Sequence, residues 1–497
     1  MYPTRREFLK TGGLLALLAT GPHFIRSGTQ PPIRWRSPQP VLAQDPALHL
    51  LRRATFGPTR SELERMRSMG VDAWIEEQLH PELIDDGELE AHLKATYPTL
   101  SMDLPDLFQM PPRQVVAELR AATLERALYS KRQLLEVLVD HWSNHFSVDQ
   151  LKGGCRFSKT WEDREVIRAH ALGSFRDLLG ADARSPCMLE YLDNYRSTKE
   201  APNENYAREL MELHTLGVDG GYTETDVKEV ARAFTGWTIA RGTHTFVFRQ
   251  RIHDTGSKVV LGHFLPAGRG IEDGEEVLDL LARHESTSYY VSRRLAQRLV
   301  ADEPPDNVVT AAAKVFRDTD GDLRAVVRAI LMHKAFWTST GQKLRRPLEL
   351  LVAAARTLEI PDIDGSIMTA AANYLGQPPF GWTAPNGYPD VAGAWVNTDA
   401  LLKRWNYGML LCEGHIPTAI PDYVALLQGV PDHQGTTIVD FFIDLVLHQK
   451  MHPEDRDQLI AFLDGDDGPF NANLPHHRRR VPSMVGLIVD SPYFQWR

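Results

Sequence analysis

Apolar residues recur at spacings of three and four along most of this chain, and this pattern limits the fold more than any other feature. Residues 113–145 show it over a length that predicts one long amphipathic helix or a pair of helices. Strand patterns are scarce. Residues 245–249 alternate in polarity, and residues 258–262 follow after a turn, which predicts one hairpin. The sequence therefore predicts a mainly α protein, a multi-helix, bundle-like globular fold with one small β-hairpin element.

The N-terminus has the layout of an export signal. Arg5 and Arg6 precede an apolar run at residues 14–19, which is too short to span a bilayer. Paired arginines in this setting indicate the twin-arginine route. We place the cleavage after Ala43, so that residues 1–43 are a signal peptide and linker. The alternative is a retained tail that tethers the protein to the membrane. The expected location is the periplasm or the extracellular space.

Charge and absent motifs exclude several classes of function. The formal net charge is −10, and residues 1–43 contain six Lys/Arg and one Asp/Glu, so their removal lowers it to −15. An acidic surface disfavours nucleic acid and anionic lipid as partners. We expect no transmembrane segment after signal removal, because no later segment is apolar enough. The sequence has no GxSxG, P-loop, GxGxxG or CxxCH motif, so we expect no nucleotide and no haem.

Length and cysteine content give two further expectations. A chain of 497 residues suggests two or three subdomains, which we place at residues 44–240 (helical, with His/Glu motifs), 241–345 (β-hairpin plus helices) and 346–497 (helical, with an aromatic Pro/Gly loop). Cys155 and Cys187 either form a disulfide outside the cytoplasm or remain free buried thiols, and the sequence leaves both open.

Residues 203–238 form the densest pattern in the chain. Gly217 is predicted to end one helix, and Thr223 with Asp226 resembles a capping box that starts the next. The first of these helices places three polar side chains at i, i+4 and i+7 on one face, Asn205, Glu209 and Glu212.

These motifs resemble the bacterial exported family called domain of unknown function 1800. The similarity continues through residues 49–57, 140–146, 253–258, 261–262, 321–323, 345–347, 385–389 and 491–495. The resemblance implies an exported, largely helical protein without an established activity. It also implies a candidate co-exported partner from the family called domain of unknown function 1501, which is similar to the alkaline-phosphatase fold.

Histidines in the first helical region suggest a metal site. His141 and His145 lie at i and i+4 on one helical face, a spacing that suits a shared divalent ion. No Glu follows His141 directly, so this is not the HExxH signature, and the alternative is that both rings pack inside the bundle. His214 is a third candidate ligand. Glu209 and Glu212 are candidates for ligand or catalytic base, or else solvated carboxylates.

A second acid/base candidate lies at the predicted hairpin tip. A carboxylate beside an imidazole can orient it and raise its pKa, so His253 and Asp254 are predicted to assist catalysis. The alternative is that Asp254 caps the turn. Residues 318–322 alternate like a calcium loop but lack its final Glu, so we predict a turn and a helix N-cap there.

Substrate-binding residues are predicted in a Pro/Gly-punctuated loop at residues 377–389. Its aromatic rings could stack on sugar faces, and its amide could supply hydrogen bonds. The predicted substrate-binding set is Asn205, Arg345, Trp382, Asn386 and Tyr388. For Arg345 the alternative is that it braces the start of the helix at Pro347.

Two functions from different classes follow. The first is a metal-assisted hydrolase that acts on an extracellular or cell-envelope carbohydrate-containing polymer, with Glu209, Glu212, His253 and Asp254 as its catalytic groups. The second is a non-catalytic binding or assembly protein that works with a co-exported partner, in which the same side chains form internal hydrogen-bond networks.

Overall fold

A computed structural model of the protein describes Trp35, residues 45–430 and residues 432–497. The predicted signal peptide and linker, Trp35 apart, lie outside the described residues. Helices form most of the described chain, which confirms the mainly α prediction. Among these residues, no helix combines the length and the hydropathy needed to cross a membrane.

The α-helices of the first half of the fold run to residue 233. Their bounds are Pro46–Ala54, Arg60–Met69, Val71–Leu79, Gly87–Thr96, Leu104–Leu107, Pro112–Tyr129, Gln133–His145, Cys155–Glu162, Phe175–Ala183, Pro186–Tyr191, Glu204–Glu209 and Glu224–Ala233. Two of them continue directly into π-helical turns, Asp163–Arg168 and Leu210–Thr215.

The α-helices of the second half follow the β segments. Their bounds are Glu272–Arg283, Glu285–Leu299, Asp306–Asp318, Leu323–Leu331, Lys334–Trp337, Pro347–Thr357, Gly365–Tyr374, Thr398–Cys412, Tyr423–Gln428, Gly435–Leu447, Pro453–Asp464, Pro475–Arg478, Arg480–Asp490 and Pro492–Gln495. Short 3-10 turns are Pro81–Leu83, Pro98–Ser101, Asn194–Arg196, Gln250–Ile252 and Ala392–Ala394.

The long apolar run at residues 113–145 forms a pair of helices that separate at Ser130. The Ser130 backbone is extended (φ −60°, ψ 137°), and its hydroxyl donates to Asp86 at 2.6 Å. The amide of Gln133 donates to the carbonyl oxygen of Ala127 at 3.1 Å and so bridges the break. The bond from Gln133 pairs a carbonyl oxygen at the end of the first helix that would otherwise lack a partner, and the bond from Ser130 pairs the carboxylate of Asp86.

Two short antiparallel hairpins take the place of the single one predicted. The strands are β1 (Trp237–Ile239), β2 (Phe246–Phe248), β3 (Lys258–Val260) and β4 (His263–Leu265). Strand β1 pairs with β2 and β3 with β4, so the predicted pairing of residues 245–249 with residues 258–262 is wrong. Leu261 and Gly262 both have positive φ (51° and 80°) and make a two-residue turn, which pairs β3 with the next segment.

Two predicted helix starts, at Thr223 and at Asp322, are confirmed. Thr223 and Asp226 form a reciprocal capping box at the start of Glu224–Ala233. Asp322 caps the helix that begins at Leu323 by accepting from the backbone N–H of Ala325 at 3.1 Å.

Segments near the two ends of the described chain pack together. Both belong to one contiguous apolar core. A Cβ on Gly57 would lie 2.7 Å from the Cα of Ala353, and Arg356 donates to the carbonyl oxygen of Gly57 at 2.7 Å. Arg497 donates to the carbonyl oxygen of Arg52 at 2.8 Å. The subdomain boundaries at residues 240 and 345 stay a prediction.

Cys155 and Cys187 are free and buried, which is one of the two states left open above. The thiol of Cys155 donates to the carbonyl oxygen of Cys187 at 3.3 Å. Cys412 is likewise a free buried thiol.

Candidate functional site

The helix Gln133–His145, here called the histidine helix, is anchored through Trp142. Its indole is fully buried and donates to the carbonyl oxygen of Ala171 at 3.0 Å. His141 and His145 lie on either side of this anchor along the chain and are both buried. Burial of two imidazoles one helical turn apart is unusual unless they serve a ligand or a hydrogen-bond network.

A π-turn brings His214 to the same place. After Glu209 the backbone changes to π-helix at Leu210–Thr215, and the N–H of Leu216 bonds to the carbonyl oxygen of Met211, five residues back, at 2.7 Å. The extra residue per turn rotates the following side chains relative to an ideal α-helix. As a result His214 is directed inward and has no exposed surface.

The three imidazoles form what we call the histidine cluster (His141, His145 and His214). Ring centroids lie 6.3 Å apart for His141 and His145, and 6.4 Å apart for His145 and His214. Nε2 of His145 lies 3.0 Å from the carbonyl oxygen of His214. A carbonyl oxygen only accepts, so this nitrogen carries the proton and Nδ1 of His145 keeps its lone pair.

Four buried ring nitrogens of the cluster have no hydrogen-bond partner within the described part of the chain. They are Nε2 of His141, Nδ1 of His145, and both Nδ1 and Nε2 of His214. An unpaired buried polar atom costs about 1–3 kcal/mol of folding stability. Such a cost is tolerated where the group serves a further purpose.

Burial also fixes the protonation state of the cluster. It lowers the pKa of His214 to about 3. Burial first, then the charge of Arg294, lowers the pKa of His145 to about 3. The pKa of His141 lies well below its ordinary value for the same main reason, with His145 as the next cause. All three rings are therefore neutral at pH 7, which is the form that binds metals.

The cluster fits a metal in its donor chemistry but not in its present side-chain orientation. Among the described residues, only Asp467, His476 and His477 form a set of three ligating groups with donor atoms within 4.8 Å of one another. The ring nitrogens of the histidine cluster would converge on one ion only after side-chain rotation.

The set of Asp467, His476 and His477 is explained by hydrogen bonds. The backbone N–H of Asn471 donates to Nδ1 of His477 at 2.8 Å, so the neutral ring carries its proton on Nε2, which lies 2.9 Å from Asp467. Arg480 donates to the other oxygen of Asp467 at 2.6 Å. This arrangement engages both ring nitrogens of His477 and both oxygens of Asp467.

An open cleft adjoins the histidine cluster. The helix Glu285–Leu299 supplies its inner wall, and the ring of Tyr290 lies 6.1 Å from the ring of His145. We call it the arginine cleft; its volume is about 930 Å³, and its polar lining includes Tyr289, Tyr290, Arg293, Arg294, Gln297 and Arg317. Gly217 forms part of the opposite side at φ 81°, and a Cβ there would come 2.9 Å from Cδ2 of Tyr290.

Glu209 and Glu212 occupy different surroundings. Burial first, then the charge of Glu212, raises the pKa of Glu209. Glu212 accepts from the hydroxyl of Tyr222 at 3.4 Å, and its charge acts on Tyr290 in the cleft wall. Glu209 acts on Tyr191, whose hydroxyl donates to the carbonyl oxygen of Thr383 in the loop at residues 377–389. The charge of Glu212 therefore acts on a residue of the cleft wall, and the charge of Glu209 acts on Tyr191.

His253 and Asp254 belong to a separate network. His253 is buried, with Nδ1 2.8 Å from the carbonyl oxygen of Thr235 and Nε2 3.3 Å from Asp273. Asp254 receives two hydrogen bonds from Arg232, at 2.8 and 3.0 Å. That guanidinium is the first cause that holds the pKa of Asp254 below its ordinary value. Neither residue lies at a hairpin tip: both follow the turn Gln250–Ile252, between the two hairpins.

Three of the five predicted substrate-binding residues, Trp382, Asn386 and Tyr388, lie together in one loop. Arg345 is 1% exposed and donates to the carbonyl oxygen of Phe494 at 3.0 Å, which is an internal role. Trp382 donates to Asn386 at 2.9 Å, and the hydroxyl of the buried Tyr388 donates to the carbonyl oxygen of Pro378 at 2.9 Å.

Trp382 and Tyr388 border a cavity of about 40 Å³ next to Asp140 and Asn144, which has room for water but not for a sugar. Asn205 is exposed on the first turn of Glu204–Glu209. The substrate-binding assignments stay predictions.

Sequence reasoning did not identify Tyr290 and Arg294, the residues that separate the histidine cluster from the cleft. A signal for them exists. Tyr289 with Arg293, and Tyr290 with Arg294, repeat an aromatic–arginine pair at i and i+4, which places two rings and two cations on adjoining strips of one helix.

The model of one protein family, described as "Protein of unknown function (DUF1800)", matches residues 49–496. The match confirms the resemblance seen in the sequence. No curated protein and no solved structure matches the chain.

Proposed function

We propose that this chain, which belongs to the DUF1800 family, is a metal-assisted hydrolase. Its metal ligands would be His141, His145 and His214. The family description names no activity. The observation that carries the proposal is His214. Its ring is completely buried, neutral, and without a partner at either nitrogen among the described residues. A metal ion would supply the missing partner and offset the cost of burial.

The hydrogen bond of His145 supports the same assignment. A histidine that binds a metal through one ring nitrogen commonly donates the N–H of the other to a carbonyl oxygen, which fixes the tautomer and orients the ring. In His145 that bond runs from Nε2 to the carbonyl oxygen of His214, 3.0 Å away. Nδ1 of His145 would then be the ligating atom.

Glu212 is the best candidate for the general base. A bound divalent ion lowers the pKa of a water molecule and so supplies a nucleophile near neutral pH. Glu212 would accept the proton at its carboxylate, while Tyr222 holds that carboxylate in place at 3.4 Å. Tyr290 and Arg294 would position the substrate from the cleft side.

The proposed substrate is a carbohydrate-containing polymer of the cell envelope or the extracellular space. Its support is the twin-arginine pattern at Arg5 and Arg6, which suits export of a folded metalloprotein. The cleft is open to solvent and has a volume of about 930 Å³, which gives room for a segment of a polymer.

Release of new reducing ends from a panel of cell-wall polysaccharides tests the activity. Protein loaded with zinc, manganese or iron should be active, and chelator should abolish the activity. Glu212→Gln should lower kcat by about 10²–10³ with its metal retained, as expected for the loss of a general base. Glu209→Gln is the matched control, because Glu209 is the neighbouring carboxylate whose charge acts on Tyr191 and not on Tyr290, and this variant should keep most of the activity. Equal activity with and without metal would contradict the proposal.

A non-catalytic assembly role remains the second candidate, and one observation favours it. The motif residues His253, Asp254 and Arg345 are engaged in internal bonds. Under this proposal the partner is a co-exported member of the DUF1501 family. Capture of that purified partner by metal-free protein, with unchanged affinity in Glu212→Gln, would support assembly over catalysis.

A further inference from the structure

We infer that the arginine cleft binds an anionic group, a carboxylate, sulfate or phosphate, carried by the polymeric substrate. This inference rests on the proposed function, because the cleft adjoins the histidine cluster through Tyr290. It narrows the substrate class from carbohydrate polymers in general to acidic ones.

The cleft arginines lack carboxylate partners. Arg294 donates to Gln297 at 3.2 Å, and its Nε has no partner in the described chain although it is buried. Arg317 donates to the hydroxyl of Ser288 at 2.9 Å. Arg293 acts electrostatically on Tyr289, whose hydroxyl donates to Asp306 at 2.7 Å. No ion pair of the described residues involves any of the three arginines.

Arginines close to the cleft in sequence behave differently. Arg298, one turn after Arg294, pairs with Glu349 and with Asp140. Arg283, on the preceding helix, pairs with Asp320 at 2.9 Å. In an acidic protein, three arginines that line one cleft without a carboxylate partner are available to a ligand.

The geometry of the helix suits a charged sugar. Tyr289 and Tyr290 lie one turn before Arg293 and Arg294, so an aromatic ring and a guanidinium adjoin on each strip of the wall. Rings of this kind pack on sugar faces, and guanidinium groups bind carboxylate, sulfate and phosphate through two parallel hydrogen bonds. Arg317 contributes from the helix Asp306–Asp318.

Two carboxylates also border the cleft. Asp219 and Glu285 have exposed side chains, so solvent screens their charge. Among the charged residues that line the cleft, Arg294 alone is half-buried, so its charge is screened less and it dominates recognition at the inner wall.

Titration calorimetry with defined oligomers tests the inference. The probes are oligogalacturonate for carboxylate, sulfated dextran oligomers for sulfate, glycerol-phosphate oligomers for phosphate, and neutral dextran of equal length. We expect at least one anionic probe to bind about tenfold or more tightly than neutral dextran, and its affinity to fall with added salt. The double variant Arg294→Gln/Arg317→Gln should lose about tenfold or more in affinity for that probe.

Arg283→Gln is the charge-matched control, and metal content is measured on every sample. The inference is overturned if neutral dextran binds as tightly as the anionic probes, or if Arg283→Gln weakens binding as much as Arg294→Gln alone. Wild-type protein that takes up no metal when it is offered zinc, manganese and iron, but still binds an anionic probe through Arg294, would remove the proposed hydrolase and leave the anion site. Metal-bound protein that shows no preference for anionic probes would remove the anion site and leave the proposed hydrolase.

Discussion

The carbonyl oxygen of His214 accepts the N–H of His145 at 3.0 Å, while the imidazole of His214 itself has no hydrogen-bond partner among the described residues. One histidine is thus oriented by the backbone of the other. The structure therefore holds two neutral rings in the same buried space, with lone pairs unpaired. The proposed metal site depends on this relationship.

Replacement of His214 by leucine should stabilise metal-free protein. The substitution removes two unpartnered buried nitrogens and keeps a similar volume, so the free energy of unfolding should rise by about 1 kcal/mol. The matched control is His253→Leu, also at a buried histidine, where both ring nitrogens have partners. That change should lower the free energy of unfolding by about 2 kcal/mol. Denaturant unfolding of both variants measures the difference, and equal losses would contradict the account.

The free energy of unfolding should decrease as the pH is lowered, because of His214. Its folded pKa is about 3 against an ordinary value of 6.5, so below pH 6.5 the unfolded chain takes up the proton first. The stability that the neutral ring contributes is therefore fully present above pH 6.5 and is lost progressively as the pH falls towards 3. Between pH 8 and pH 5 the loss in the free energy of unfolding amounts to about 2 kcal/mol. In His214→Leu the loss of stability over this range should be smaller by about that amount, and an unchanged loss would show that the ring is protonated in the folded state.

Metal affinity should depend little on pH between 7.5 and 5.5. The rings of His145 and His214 are already neutral in the folded protein, so metal does not compete with protons over this range. Three exposed histidines with ordinary pKa values would lose about 10³ in affinity at pH 5.5. Zinc titration of folded apo-protein should give a change below about tenfold. A loss near 10³ would mean that the ligands are other histidines.

Gly217→Ala should damage the wall between the cleft and the histidine cluster. Gly217 has φ 81° and its Cβ would lie 2.9 Å from the ring of Tyr290, whereas Gly221 has the same φ with no atom within 4 Å. Both alanine variants should lose about 1 kcal/mol from the backbone conformation. Only Gly217→Ala should also displace Tyr290, which would lower the melting temperature further and change tyrosine fluorescence. Equal melting temperatures and equal tyrosine fluorescence in the two variants would contradict the close contact between Gly217 and Tyr290.

Local rules account for what the sequence could predict. The capping box of Thr223 and Asp226, and the N-cap at Asp322, depend on contacts three residues apart, so they can be read directly from the chain. The burial of His141 and His145 was one of two alternatives, and their common helix was predictable from spacing.

Longer-range effects explain what the sequence could not predict. The π-turn at Leu210–Thr215 changes the direction of His214, and its extra residue per turn depends on tertiary packing rather than on periodicity. The hairpin partners depended on a two-residue turn at Leu261 and Gly262, where leucine adopts a conformation that it seldom takes. The contact of Tyr290 with His145, whose ring centroids lie 6.1 Å apart, joins segments about 145 residues apart.

The metal content of the purified protein tests the central claim most directly. Plasma mass spectrometry of protein purified without chelator, then offered zinc, manganese and iron, should give one ion per chain. The ion should be lost in His145→Ala and in the well-folded His214→Leu, and retained in His253→Leu. No bound metal in the wild type, or equal metal in wild type and His214→Leu, would contradict the account.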